Sequence, residues 1–527
     1  MKHLRRRLSA IITAVAAVVL ALALVPTAYA ATSHTISITN QKGEASSHSF
    51  AAYKVFSGTY NSSTNQLTGI SWGDGVNGDE LLQALKDDKS VGDFFKSATD
   101  APTAAAAMAD ITDAKQVEAL AKVIGDHLGT VSTTSTNGVI TVPSDGYYFV
   151  KDTTDADKVP NGETYSRYIL RVAGEDVTIS SKSEVTTSNK HVKEKNDSEA
   201  NTSEELAGWR SVADYDMGDQ VPFELVGKIA DDYDYYDSYY FEFDDTYNKD
   251  QLGTAQDVKV FVGNTELSES QRTAADYKLT QIEGSFTIEF TDLKKIVDAD
   301  GKPLVHAGDS ISVEYTAELL TGANIGAAGN VNTSHTVFSN NPNNKDSKGR
   351  TPDHTTKVFT YQLVINKVDE ADNPLKGADF ILYKLDREDG TYKEVPTKVD
   401  GVDLKTVSAD GATFTFKGLD EGKYKLHESK TPKGYNTISD IEFAISSTTD
   451  DDAQTLTGLS GKAADGTAEF TPDIKEGSIT TKIQNKSGSI LPSTGGMGTT
   501  VLYVAGAAIV VAAGVGLAIR RNKRRDA

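Results

Sequence analysis

Residues 361–369 have the sequence YQLVINKVD, in which the alternate positions Tyr361, Leu363 and Ile365 are apolar. Alternation of this kind predicts a β-strand with one face in a core. Lys367 continues the same face, so its amine is predicted to point inward with Leu363 and Ile365. A buried lysine costs free energy unless it is neutralised or paired. The stretch therefore predicts a sheet-built domain whose core holds a partner for Lys367.

Two other segments of the same part of the chain supply candidate partners. The segment YKLHE places Glu428 on the same strand face as Tyr424 and Leu426. Ile483 and Asn485 repeat this alternation farther along. Because alternate residues of a strand share a face, an amine, a carboxyl group and a carboxamide are predicted to meet in one core.

Burial of these three groups favours a reaction between the lysine amine and the asparagine side chain. Desolvation favours an uncharged lysine amine, which is a nucleophile, and a protonated glutamic acid. The acid can hydrogen-bond the Asn485 carbonyl and stabilise the oxyanion that develops during attack. Ammonia then leaves, and a Lys367–Asn485 isopeptide bond ties the first strand to the last. The alternative is a buried Lys367–Glu428 ion pair without a covalent bond.

The segment from Tyr424 to Tyr435 follows the pattern Tyr-x-Leu-x-Glu-x-x-Thr-Pro-x-Gly-Tyr. With Lys367, it resembles the Cna protein B-type domain and the E box of Gram-positive pilins. Thr431 stands where that family usually has alanine. The resemblance implies an isopeptide bond at Lys367 with Glu428 as its catalytic acid.

An earlier part of the chain carries a second pilin-like pattern. Residues 329–342 have the sequence GNVNTSHTVFSNNP, which resembles the pilin segment GNxNxxxxxYSNNP with Phe338 in place of tyrosine. The resemblance implies that Lys190 pairs with Asn332 and that Asp245, in the segment FEFDDT, is the catalytic acid. The nearby acids Glu242 and Asp244 would not share this role, since they face the other way. The alternative is that these are ordinary polar surface residues.

The C-terminal end has three parts in a fixed order. The pentapeptide LPSTG precedes an uncharged run over 501–519, and basic residues follow. The run is long enough to cross a hydrocarbon layer of about 30 Å, and the basic residues favour a cytoplasmic end. This order resembles the cell-wall sorting signal read by sortases of Gram-positive bacteria. The motif consists of Leu491, Pro492, Ser493, Thr494 and Gly495.

The sorting signal implies cleavage between Thr494 and Gly495, after which Thr494 passes to an amine on another molecule. The alternative is a plain membrane anchor. In pilins the receiving amine is a lysine in a Val-x-Val-Tyr-Pro-Lys-like stretch. The corresponding segment here is VTISSK, residues 177–182, in which two serines replace Tyr-Pro. The resemblance implies Lys182 as the acceptor, although an exposed linker lysine is usually only solvated.

Composition and the N-terminus restrict the function further. The 527 residues carry 53 Lys and Arg against 75 Asp and Glu, a net charge of −22, which disfavours nucleic acid as a partner. With no cysteine, disulfides and thiol chemistry are excluded.

Residues 1–30 have a basic start, an apolar run and an Ala-x-Ala end, which predicts a cleaved signal peptide rather than an N-terminal anchor. We find no motif that calls for a metal or a cofactor.

The predicted fold is mainly β, with tandem immunoglobulin-like β-sandwich domains, the first of which carries helices. Leucines 81, 82 and 85 predict one helix, and apolar residues from Val117 to Leu128 predict another. Residues 340–354 are predicted to be a long loop and residues 233–240 a solvated, tyrosine-rich segment. The expected parts are 1–30 signal peptide, 31–182 N-terminal pilin domain, 183–357 middle domain, 358–490 C-terminal domain and 491–527 sorting signal.

The resemblance implies a secreted, wall-anchored backbone subunit of a surface fimbria, which is not an enzyme. Its implied partners are a sortase, identical subunits in a head-to-tail polymer, peptidoglycan, tip and basal pilins, and a host receptor that the sequence does not identify. The alternative is a monomeric wall-anchored adhesin. A polymer gives a ladder of high-mass species in wall extracts, whereas a monomer gives a single band.

Overall fold

The computed structural model describes residues 33–40, 44–181, 183–194, 208–387 and 389–488. The predicted signal peptide, the LPSTG motif, the apolar run over 501–519 and Lys182 all lie outside these residues. Within them, no helix is both long enough and apolar enough to cross a membrane.

The first region, residues 33–181, combines two sheets with a group of helices. Its strands are β1 (His34–Thr39), β2 (Phe50–Asn61), β3 (Gln66–Trp72), β4 (Thr133–Thr134), β5 (Val139–Val142), β6 (Gly146–Asp152), β7 (Ile169–Ala173) and β8 (Val177–Ser180). They form the sheets β5-β1-β8 and β3-β2-β6-β7, with β4 beside β2. Its helices are α1 (Gly78–Asp87), α2 (Gly92–Phe95), α3 (Ala101–Ala109) and α4 (Ala114–Asp126).

The helices α1 and α4 are the two that the spacing of apolar residues predicts. They bury Leu81, Leu85 and Ile124 in one hydrophobic cluster with Phe149 of β6. The sequence analysis missed α2 and α3. In α3 the run of alanines has no amphipathic period, and the helix is instead marked by a capping box in which Asp100 accepts a hydrogen bond from the Thr103 amide.

The middle region, residues 183–359, is built from two larger sheets. Its elements are β9 (Thr187–Lys193), β10 (Trp209–Arg210), β11 (Val212–Asp214), β12 (Gln220–Lys228), β13 (Phe241–Tyr247), β14 (Gln256–Val262), β15 (Thr265–Glu266), α5 (Glu269–Ala274), β16 (Lys278–Ile282), β17 (Ser285–Phe290), β18 (Ser310–Glu318), β19 (Asn330–Ser339), β20 (Lys348–Arg350) and β21 (His354–Phe359). One sheet has the order β10-β9-β12-β18-β14-β15. The other has the order β11-β21-β19-β13-β17-β16, with β20 beside β19.

Two predictions for the middle region are wrong. The expected loop over 340–354 contains β20, which pairs with the end of β19. The tyrosine-rich segment over 233–240 is not solvated, since Tyr233, Tyr236 and Tyr239 are buried and their rings pack edge to face. Tyrosines with apolar rings can fill a core, and composition alone does not distinguish this from a polar loop.

The third region, residues 361–488, contains two five-stranded sheets and a short hairpin. Its strands are β22 (Tyr361–Val368), β23 (Asp379–Leu385), β24 (Tyr392–Glu394), β25 (Lys398–Val399), β26 (Val402–Asp403), β27 (Lys405–Val407), β28 (Thr413–Leu419), β29 (Gly422–Lys430), β30 (Ile441–Asp450), β31 (Thr455–Ala463), β32 (Phe470–Asp473) and β33 (Ser478–Gln484). The sheets have the orders β27-β28-β22-β33-β32 and β24-β23-β29-β30-β31.

The first and last strands of the third region, β22 and β33, are parallel neighbours in one sheet. In their register Lys367 lies opposite Ile483, which brings the lysine close to the residues that follow β33. The fold is mainly β, as the sequence predicts, and its helices are concentrated in the first region.

The chain folds into two compact units. One unit contains the first and middle regions together with residues 448–457, and the other contains the remainder of the third region. The division of the first unit into separate domains at residue 182 remains a prediction.

Candidate isopeptide sites

The third region brings Lys367, Glu428 and Asn485 together in its core. Lys367 comes from β22 and Glu428 from β29 of the opposite sheet, while Asn485 follows β33 directly. The three residues are exposed by 1%, 3% and 0%. Alternation along β22 and β29 turns the lysine and the acid inward, as the sequence predicts.

The side chains are in direct contact. The Lys367 amine lies against Asn485 Oδ1 and 3.4 Å from Glu428 Oε1. Asn485 Nδ2 donates hydrogen bonds to both Glu428 oxygens, at 2.9 and 3.1 Å. Glu428 Oε2 also accepts from the Ile438 amide at 3.1 Å. One carboxyl group therefore contacts both the attacking amine and the amide nitrogen that would leave.

This contact pattern differs from the sequence interpretation, in which Glu428 contacts the Asn485 carbonyl oxygen. The amine occupies that side of the amide, so the carboxyl group meets the nitrogen instead. Thr431, the residue that departs from the family pattern, lies beside the site and donates from its hydroxyl to Glu428 at 3.3 Å.

The surroundings favour a nucleophilic amine. Burial lowers the pKa of Lys367, and the charge and hydrogen bond of Glu428 offset this effect only in part. Because the free amine rather than the ammonium attacks a carbonyl carbon, a lowered pKa increases the reactive fraction.

The middle region brings together a second lysine, acid and asparagine. Lys190 lies on β9 of one sheet, while Asp245 on β13 and Asn332 on β19 lie on the other. All three are buried, and the side chains of Lys190 and Asp245 are in contact and fully shielded from solvent. Glu242 and Asp244 are not buried, in agreement with the alternation of β13.

Sequence reasoning missed a fourth residue of this site, Tyr315 on β18. Its hydroxyl lies 3.1 Å from the Lys190 amine and 3.1 Å from Asp245 Oδ2, and it accepts a hydrogen bond from Asn332 Nδ2 at 2.8 Å. The alternation of β18 predicts that Tyr315 points inward, since residues 311, 313 and 317 are its apolar neighbours on that face. No pattern in the sequence indicates which groups the hydroxyl meets.

Burial sets the protonation of the middle site. It lowers the pKa of Lys190 and raises the pKa of Asp245, while the attraction between the two groups opposes both effects. It also raises the pKa of Tyr315 well above its usual value, so the hydroxyl keeps its proton. Asp245 Oδ1 and Asn332 Oδ1 accept no hydrogen bond within the described residues. Since unpaired buried acceptors cost free energy, a proton on Asp245 is favoured.

The predicted acceptor Lys182 and the sorting motif lie outside the described residues, but both flanks of position 182 are described. The Ser181 amide donates to the Thr39 carbonyl at 2.7 Å. On the other side, the Glu184 amide donates to Thr164 Oγ1 at 2.8 Å, and the Thr164 amide donates to the Glu184 carbonyl at 3.0 Å. The chain is thus held by hydrogen bonds immediately before and after this position.

Comparison with known sequences identifies one matching family model and two relatives. Residues 361–459 match the family model described as SpaA, a prealbumin-like fold domain. The chain is 25% identical over 276 residues to the trypsin-resistant surface T6 protein of Streptococcus pyogenes serotype M6, covering 41% of this chain and 49% of the relative. It is 26% identical over 358 residues to fimbrial subunit type 2 of Actinomyces naeslundii, covering 59% of this chain and 58% of the relative.

A solved structure has the same fold over most of the chain. The T6 backbone pilin of S. pyogenes serotype M6, described as a modular three-domain structure, aligns with a TM-score of 0.53 at 17% identity. The alignment covers 87% of this chain and 99% of that one. The chain spans only about half the length of the curated relatives it matches. It is similar to fimbrial subunits of Gram-positive bacteria and shares the backbone-pilin fold.

Proposed function

We propose that this chain is the structural backbone subunit of a covalently polymerised, cell-wall-anchored fimbria. The observation that carries the proposal is the pair of buried Lys–acid–Asn sites, one in each of two successive sandwich-like regions. Buried charged groups of this kind are seldom more stabilising than apolar residues of the same size. A reaction that joins the lysine to the asparagine would explain why both cores contain these groups.

The reaction in the third region conserves atoms and protons. The Lys367 amine attacks Asn485 Cγ, and the electron pair of the carbonyl moves onto Oδ1. Glu428 takes a proton from the attacking nitrogen and delivers one to Nδ2, with which it is already hydrogen-bonded. The Cγ–Nδ2 bond breaks, ammonia leaves, and the carbonyl re-forms as an isopeptide. Glu428 ends in its starting state, so the chain modifies itself once and is not an enzyme.

The same reaction in the middle region would join two sheets rather than two strands of one sheet. Lys190 and Asn332 lie on opposite sheets, so their bond would prevent the sandwich from opening. The third-region bond would instead join the end of β22 to the segment after β33. A subunit with both bonds resists unfolding without any disulfide, consistent with its lack of cysteine.

Assembly would join Thr494, the last residue of the mature chain 31–494, to an interior lysine of another subunit. A sortase would cleave LPSTG after Thr494 and transfer that residue to Lys182 of the next subunit. Such head-to-tail contacts do not close, and they give an open filament. The last subunit would pass Thr494 to a peptidoglycan precursor, and tip and basal pilins would complete the fibre.

The test of the internal chemistry is the intact mass of the mature chain. Two bonds predict a mass lower than the sequence mass by two molecules of ammonia, and peptide mapping should recover Lys367–Asn485 and Lys190–Asn332 as linked pairs. A mass equal to that of the sequence would refute the proposal. Gel electrophoresis of wall extracts then distinguishes a fimbria from a monomeric adhesin, since only the fimbria gives a ladder of high-mass species.

A further inference from the structure

Tyr315 contacts every reacting group of the middle site. Its hydroxyl lies within 3.1 Å of the Lys190 amine, the Asp245 carboxyl and the Asn332 amide nitrogen. We propose that Tyr315 is a catalytic residue of isopeptide formation in the middle region and relays a proton from Asp245 to the leaving nitrogen of Asn332. This inference rests on the proposed function, since it requires the middle bond to form.

The need for a relay follows from the length of the acid. In the third region, Glu428 contacts both the lysine amine and the asparagine nitrogen directly. Asp245 is shorter by one methylene group. It contacts the Lys190 amine, but in the described part of the chain no hydrogen bond joins it to Asn332. The Tyr315 hydroxyl occupies the intervening position, with Asp245 on one side and Asn332 on the other.

The hydroxyl is held in place by the packing of its ring. The ring stacks on Phe223 of the neighbouring strand β12 at 5.3 Å and meets Phe286 of the opposite sheet edge to face at 4.8 Å. Phe223 is also the direct register partner of Tyr315. A ring fixed on two sides presents its hydroxyl in one position, as a relay requires.

Asp245 and Tyr315 each pass on one proton and recover one during the reaction. The Lys190 amine attacks Asn332 Cγ while Asp245 is protonated, and the attacking nitrogen passes its excess proton to Asp245 as Asp245 gives up its own. Tyr315 donates its hydroxyl proton to Asn332 Nδ2 as the Cγ–Nδ2 bond breaks, and it takes a proton from Asp245 Oδ2 at the same time. Ammonia leaves, the isopeptide carbonyl re-forms, and Tyr315 and Asp245 return to their starting states. No phenolate accumulates, which matters because burial strongly disfavours that ion.

The test is Tyr315→Phe in the mature chain, residues 31–494, which includes every described residue. The change removes one oxygen atom and keeps the ring that packs on Phe223. In a cell-free synthesis chase followed by mass mapping, we expect the Lys190–Asn332 bond to form about 100-fold more slowly, a typical loss for a proton-transfer group. The Lys367–Asn485 bond in the same molecule should form at the wild-type rate.

The matched control is Tyr239→Phe, which makes the same change at a second buried tyrosine of the same region. Both of its bonds should form at the wild-type rate. A Tyr315→Phe chain that forms its middle bond at the wild-type rate would overturn the relay, and so would equal slowing of that bond in Tyr239→Phe.

Failure of the relay and failure of the proposed function give different results. If the wild-type chain forms no middle bond, the proposed chemistry of that region is wrong and Tyr315 has no reaction to assist. If the wild-type chain forms it and Tyr315→Phe does so equally fast, only the relay is wrong. Thermal melting of each variant shows whether it is folded, and the intact third-region bond provides a check within each molecule.

Discussion

The two buried lysines differ in how their acids reach the amide. Glu428 contacts both Lys367 and Asn485 directly. Among the described residues, Asp245 contacts Lys190 and the Tyr315 hydroxyl, and it is Tyr315 that contacts Asn332. The side-chain length of one acid thus decides whether a site needs three residues or four.

We expect Glu428→Gln, a change of a single residue, to prevent the third-region bond. Glutamine has the size of glutamate but cannot exchange protons between the amine and the leaving nitrogen. The intact mass should rise by one ammonia relative to wild type, apart from the small mass change of the substitution. Glu421→Gln changes an acid in the turn before β29, outside the site, and this control should keep both bonds. Full bonding in Glu428→Gln would contradict the assigned role.

His48 provides a second prediction. Its ring is buried, with Nδ1 2.6 Å from Asp152 and Nε2 3.0 Å from Glu163. Burial lowers the pKa of His48, but the hydrogen bonds and charges of the two acids outweigh it and raise the pKa to about 9. The protonated ring therefore stabilises the fold fully below pH 6.5, and this contribution is lost as the pH rises through about 9.

The loss on raising the pH from about 6.5 to about 9.5 should be on the order of 3 kcal/mol in the free energy of unfolding of the first region. Chemical denaturation followed by CD at both pH values measures it. His48→Gln should show much less pH dependence over this interval. His427→Gln, at a partly buried histidine of the third region, should behave like wild type. An unchanged pH dependence in His48→Gln would show that other groups are responsible.

At the scale of elements, the parallel pair β22–β33 determines what the third-region bond does. The bond joins residues 118 positions apart, so it closes nearly the whole region into one loop. A cross-link of that span constrains the unfolded chain, as a disulfide does. The bond should therefore stabilise the fold mainly by lowering the conformational entropy of the unfolded chain. This stabilisation should depend little on the contacts around the bond.

Lys367→Met tests this contribution. The variant keeps an apolar side chain in the core but cannot form the bond, and we expect a loss of about 4–5 kcal/mol in the stability of the third region. Differential scanning calorimetry and trypsin digestion should show an earlier transition and faster cleavage. Lys482→Met removes an exposed lysine from β33 and should change neither. Equal melting temperatures for Lys367→Met and wild type would show that the bond is absent or energetically neutral.

At the scale of the whole molecule, the proposed polymer links Thr494 of one subunit to Lys182 of the next. Hydrogen bonds hold the chain on both flanks of position 182.

Lys182→Ala should therefore abolish the high-mass ladder in wall extracts while monomer remains attached to the wall, since Thr494 can still pass to the wall precursor. Lys193→Ala, at an exposed lysine of β9, should leave the ladder intact. Deleting residues 491–495 should remove both the ladder and wall attachment. A ladder that persists in Lys182→Ala places the acceptor elsewhere, and Lys193 and Lys195 would be tested next.

Features that depend on neighbouring residues can be predicted from the amino-acid sequence. Alternation along β22, β29 and β13 predicts that Lys367, Glu428 and Asp245 face inward, and the structure places all three in cores. The spacing of apolar residues predicts α1 and α4. The proposed sorting signal depends only on local order, so its prediction does not require a structure.

Which of the inward-facing residues contact one another depends on the tertiary structure. Lys190 and Tyr315 are 125 positions apart, and Tyr315 approaches Asp245 because two sheets pack face to face. Alternation specifies the face of a strand but not the residue across the core from it. For the same reason composition mispredicts the buried tyrosines of 233–240, and the alanines of α3 give no period to detect. The local sequence pattern determines which face of a strand a side chain occupies. The packing of strands that are distant in sequence determines which side chains come into contact.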